Sequence, residues 1–136
     1  MINFNYNGKD YAWRWDSMKT MFLLRDRMGV DDVNLICNKI DWCLSVEGDS
    51  VERIEWIYAI ACAGFYAANS RDYFELEQNG GIDAILKDDA AFPTMVAEIH
   101  LHAEMFVTKY PDKKKRMRAL AKSLRRAAKR LERQYS

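Results

Sequence analysis

Residues 49–68 read Asp49-Ser50-Val51-Glu52-Arg53-Ile54-Glu55-Trp56-Ile57-Tyr58-Ala59-Ile60-Ala61-Cys62-Ala63-Gly64-Phe65-Tyr66-Ala67-Ala68. From Ile57 on, twelve residues carry no charge. That run is too short to cross a bilayer and fits a buried helix. Asp49 with Glu52 three residues later is close to a capping box, with Asp in place of the usual Ser or Thr. Val51, Ile54, Ile57, Tyr58, Ala61 and Phe65 share one face, and Ile60, Ala63 and Ala67 widen it toward full burial. The spacing predicts a central core helix ending near Ala68.

Two helices are expected before it. Asp16 or Ser17 caps one that runs to Met28, where Gly29 stops it. Met18, Met21, Phe22 and Arg25 follow 3/4 spacing in this helix, with Leu24 and Met28 beside them. Asp31 or Asp32 caps the second, which runs through Leu44 with Val33, Ile36, Cys37, Ile40, Cys43 and Leu44 on its apolar face. After the central helix, Ser70 caps a short helix that stops at Asn79-Gly80-Gly81, and another short one spans Ile82 to about Lys87. Pro93 then opens a helix that continues to Tyr110, and Pro111 breaks it.

The N-terminus reads differently. Ile2, Phe4 and Tyr6 alternate with polar residues, Asn7-Gly8 follows, and Tyr11, Trp13 and Trp15 alternate with Ala12 and Arg14. Period-2 alternation on both sides of an Asn-Gly pair signals a β-hairpin, with strands near 2–6 and 11–15. Phe4, Tyr6, Tyr11, Trp13 and Trp15 would share a face. A two-stranded hairpin is marginal alone, so this face must pack on helices.

Charge divides the chain at Pro111. Residues 112–136 hold 11 basic and 2 acidic residues, a net of +9, against 10 basic and 18 acidic in residues 1–111, a net of −8. The fold class expected is mainly α: a small helical domain with an N-terminal β-hairpin and a C-terminal basic helix. Residues 1–111 form the acidic helical domain and 112–136 the basic amphipathic helix. Met117, Leu120, Leu124, Ala127 and Leu131 recur there at steps of 3 and 4, a narrow stripe on a cationic helix. Lys113, Lys114, Lys115, Arg116, Arg118, Lys122, Arg125, Arg126, Lys129, Arg130 and Arg133 are the candidate partner-binding residues. Such density binds phosphates with strong salt dependence, or docks on an acidic face of this chain or a second copy. The stripe has no Trp or Phe anchor, so no membrane partner is expected.

Composition excludes collagen, a secreted disulfide scaffold and a membrane protein. Met1 is followed by Ile-Asn-Phe-Asn-Tyr, without the basic and apolar regions of a signal peptide. Cys37, Cys43 and Cys62 make an odd count with no CxxC, as expected of reduced core thiols in a cytoplasmic protein. His100 and His102 are the only histidines, and HExxH is absent. They fit boundary histidines with i,i+4 partners in Glu104 and Glu98, and no metal is expected. Asp31-Asp32 and Asp88-Asp89 fit helix caps better than a paired-carboxylate site. Asn79-Gly80-Gly81 is neither GxGxxG nor a P-loop. Tyr11, Trp13 and Trp15 could stack on bases, but a packed aromatic face is the better fit. No catalytic residue and no cofactor is expected.

The order of these elements resembles that of phage tail assembly chaperones of long-tailed phages. The resemblance lies in the opening Tyr6-Asn7-Gly8-Lys9-Asp10-Tyr11 leading into a helix, and in the later Ile57-Tyr58-Ala59 on an apolar helix. It covers roughly residues 2–109, and the basic C-terminal segment departs from the family's pattern. It implies a non-enzymatic protein in the host cell cytoplasm that binds the tape measure protein and helps recruit tail tube subunits. Homo-oligomers are implied, since many copies coat one client. The alternative is a small phage nucleic-acid-binding or regulatory protein that works through the basic helix.

Overall fold

The computed structural model describes residues 1–46, 48 and 50–102, and further along residues 122, 125, 126, 129 and 130. The fold is mainly helical with an N-terminal hairpin. Strands β1 (Ile2–Tyr6) and β2 (Lys9–Trp13) are followed by α1 (Lys19–Met28), α2 (Val33–Ser45), α3 (Val51–Ala68), α4 (Tyr73–Gln78), α5 (Gly81–Leu86) and α6 (Ala91–Leu101). Among the described residues, no helix is long and apolar enough to cross a membrane.

The hairpin forms because Asn7 and Gly8 both take positive φ, 53° and 78°, as a two-residue turn between twisted strands needs. Phe4 pairs with Tyr11 and Ile2 with Trp13. The second strand begins at Lys9, two residues earlier than the alternation suggests, because Lys9 and Asp10 still pair with Tyr6 and Asn5. Trp15 lies beyond the strand yet is buried, and its ring stacks on Trp13 at 5.5 Å. The aromatic face is therefore core and leaves no platform for bases.

Helix α3 is the hub. It packs on α1, α2, α4, α5, α6 and β2. Its buried set is Trp56, Ala59 to Phe65 and Ala67, whereas Val51 and Ile54 are exposed. The first turn of the predicted face thus points outward. Ser50 caps the helix, its hydroxyl accepting from the Arg53 N–H at 3.2 Å. Ser50 thus holds the cap position expected of Asp49, which lies outside the described residues, and the Glu52 carboxylate accepts from Lys39.

Small residues along α3 let the hairpin come close. The Trp13 indole lies against Gly64, where an added Cβ would sit 2.0 Å from Trp13 Cε2. Trp13 Nε1 donates to the Ala61 carbonyl at 2.9 Å, the Arg14 N–H donates to the Gly64 carbonyl, and Asn69 Nδ2 donates to the Ala12 carbonyl. The buried indole N–H and strand-end groups are satisfied by this crossing.

Three further expectations shift. Helix α1 starts at Lys19, and Asp16 pairs with Arg14 while Ser17 accepts from the Lys19 N–H at 3.3 Å. Its buried residues are Thr20, Met21 and Leu24, so Phe22 faces solvent. Helix α4 starts at Tyr73, after Asp72, rather than at a Ser70 cap. Helix α6 begins at Ala91 with Pro93 inside its first turn, where no N–H partner is lost. Gly29 ends α1 as expected, with φ 66° and its N–H on the Arg25 carbonyl. Asp32 caps α2 through the Asn34 N–H at 2.8 Å. The Pro111 boundary and the apolar stripe from Met117 to Leu131 lie outside the described residues.

Gly64→Ala is expected to destabilise by roughly 3 kcal/mol, since the methyl must displace a packed indole. Gly8→Ala meets open space and should cost only about 1 kcal/mol of left-handed backbone strain. Urea unfolding of both variants checks the order.

Candidate interaction surfaces

Among the described residues of the basic segment, Lys122, Arg125, Arg126, Lys129 and Arg130 are helical and exposed. Their spacing of i, i+3, i+4, i+7 and i+8 places them on one helix face. Lys113, Lys114, Lys115, Arg116, Arg118 and Arg133 lie outside the described residues. Arg125 reaches the body: its Nε donates to His100 Nε2 at 3.0 Å. Burial and, after it, the Arg125 charge push the His100 imidazole below its usual 6.5. His102 sits 3.1 Å from the buried Glu98 carboxylate, the i,i+4 pair expected, and the Met1 amine pairs with the same carboxylate. The His100–Glu104 pair falls outside the described residues. No group of three His, Cys, Asp or Glu side chains able to hold a metal ion occurs among the described residues.

Apolar side chains also stand exposed outside the core. Phe22 on α1 is 49% exposed, Leu35 on α2 52%, Ile54 on α3 51% and Phe74 on α4 61%. Val51 and Leu101 are more exposed still. Single exposed apolar residues are ordinary. Here they occur on helices whose opposite sides build the core.

Two polar clusters were invisible in sequence because each joins separate helices. In the first, Arg27 of α1 donates to Tyr73 Oη at 2.8 Å and to Cys62 Sγ at 3.5 Å, and pairs with Glu77. Its guanidinium lies 6.0 Å from the Tyr58 ring centre. Burial pushes the Cys62 thiol up to about 11, and the hydrogen bond from Tyr73 and the Arg27 charge recover only part of that. Burial also raises Tyr58 and Tyr73. At neutral pH the thiol is therefore protonated, and the cluster ties α1, α3 and α4 together. In the second, the Lys39 ammonium lies 4.7 Å from the Trp42 ring centre and 5.8 Å from that of Trp56, with Glu52 at 2.8 Å. This cation–π contact joins α2 to α3.

Cys37, Cys43 and Cys62 are all buried, as expected of core cysteines. Asp88 is not a helix cap: it accepts from the Ala90 N–H at 3.0 Å within the loop, and α6 has Ala90 at its N-cap position without a side-chain cap. Comparison of the chain with protein-family models, with curated proteins and with solved structures finds no match.

Burial raises Cys43, like Cys62, from 9.0 to about 11. A raised acid favours the folded state below the unfolded value and loses that preference as pH climbs through the folded one. Stability is expected to fall between pH 9 and 11. Replacing both cysteines by Ala should flatten that part of the profile, read as urea midpoints at each pH.

Proposed function

We propose that this chain is a non-catalytic phage tail assembly chaperone that binds the tape measure protein and assists tail tube assembly in the host cytoplasm. The observation that carries the reading is the set of exposed apolar side chains, Phe22, Leu35, Ile54 and Phe74, on four helices of a body whose core is already filled. Such residues suit an amphipathic helical client laid against them. The resemblance in element order supports the same role. Self-association follows from many copies coating one client, and no cofactor is required.

The second reading is favoured by one observation, the single-faced spacing of Lys122, Arg125, Arg126, Lys129 and Arg130. Under it the protein binds nucleic acid through phosphates, without base readout.

Light-scattering mass, taken with and without a nonspecific DNA duplex at about 0.1 M and about 0.5 M salt, separates the two. The chaperone reading expects oligomers that ignore DNA at both salts. A monomer or dimer that binds DNA only at low salt moves the assignment to the second reading.

Phe22→Gln with Ile54→Gln should weaken binding to a tape measure helix at least tenfold. The thermal midpoint should barely move, since both side chains are already wet. If DNA is the partner, reversing the five described cations to Glu removes a log–log salt slope of about 4 to 5. The helical signal of the body should persist.

A further inference from the structure

We infer that the segment carrying Lys122, Arg125, Arg126, Lys129 and Arg130 is latched to α6 through Arg125 by a hydrogen bond that only neutral His100 can accept, so that acidification releases Arg125 from α6. The inference does not depend on what that face binds.

The argument starts from the donor. An arginine guanidinium has only donors and keeps its charge at all ordinary pH values. Its Nε–H therefore needs a lone pair on His100 Nε2, 3.0 Å away. Nε2 is then unprotonated and the imidazole proton resides on Nδ1. His100 Nδ1 is itself buried and has no hydrogen-bond partner among the described residues. A second proton on this ring would remove the acceptor and set two cations against each other at hydrogen-bond distance.

The surroundings offer the imidazolium little compensation. Arg125 is the charged side chain that the described residues bring to His100. On α6 itself, Glu98 and His102 each lie two residues away, about 200° around the helix, and pair with each other. The Met1 amine and Asp16 belong to that side, Asp16 being within electrostatic reach of His102. Helices α3 and α5 pack on α6, and among the described residues neither sends a hydrogen bond or ion pair to His100. Glu104, four positions on, lies outside the described residues, and a direct titration of His100 includes whatever it contributes.

The sign follows. Burial first, and Arg125 second, lower the proton affinity of His100 from 6.5. A base weakened in the latched state favours latching above pH 6.5. That preference is lost as pH falls through the lowered midpoint. Each pH unit by which latching itself lowers the midpoint corresponds to about a tenfold weaker latch in the protonated form.

The test is nitrogen-15 NMR of the full chain between pH 7.5 and 5. At pH 7.5 the expected His100 tautomer carries its proton on Nδ1, and the Arg125 Nε–H gives a distinct signal. Both should change together at a midpoint below 6.5. His100→Gln supplies an oxygen acceptor that does not titrate, so the Arg125 signal should persist to pH 5. In His100→Ala it should be absent throughout. Binding to heparin by the wild type should strengthen on acidification more than in His100→Gln, which removes the contribution of other titrating groups. A His100 midpoint at or above 6.5 overturns the inference, as does an Arg125 signal that ignores the His100 titration. The wild-type titration decides the matter even if a variant folds poorly.

Discussion

The packing of Trp13 on Gly64 is the constraint on which the other contacts depend. An indole needs a flat, close surface and a partner for its N–H. Helix α3 supplies both, through the bare Cα of Gly64 and the Ala61 carbonyl. That one approach sets the distance between hairpin and helix. Trp15 then stacks on Trp13, and Phe4 meets Phe65 edge to face at 5.8 Å. Two strands that would be marginal alone become one wall of the core.

With that wall in place, α3 has little freedom left. Helices α1, α2, α4, α5 and α6 all reach it. The polar ties between helices lie at the margins of the apolar core. Arg27 gathers Cys62, Tyr73 and Glu77 where α1, α3 and α4 meet, and Lys39 lies between Trp42 and Trp56. Each satisfies charges that burial alone would penalise. What remains outside is a set of wet apolar side chains and, further along the chain, a cationic face from which Arg125 reaches α6. These are the features on which the functional proposal stands.

Much of the scaffold was legible because its signals are local. Asn7-Gly8 declares a turn through backbone conformations few other residues adopt, and Gly29 declares a helix end in the same way. Asp32 is a cap for reasons contained within three residues. The errors came where a local signal had competitors. Asp49 and Ser50 both suit a helix start, and Ser50 takes the cap position while Glu52 pairs with Lys39. Phe22 fits the apolar spacing of α1, yet Thr20 is buried in its place, its hydroxyl satisfied by the Ser17 carbonyl at 2.8 Å. The candidate basic residues were legible as a composition. That one of them meets a histidine 25 positions earlier was not.

The sequence by itself determined the helical class, the hairpin and its turn, the burial of the cysteines and the opposition between an acidic body and a basic end. Each of these follows from the spacing or the count of residues near one another in the chain. Tertiary structure decided which side of each helix is buried, because a helix has several apolar edges and only its neighbours select one. It also decided the state of Cys62 and His100. A proton's affinity depends on burial and on charges carried by other elements, and no periodicity in the chain encodes those distances.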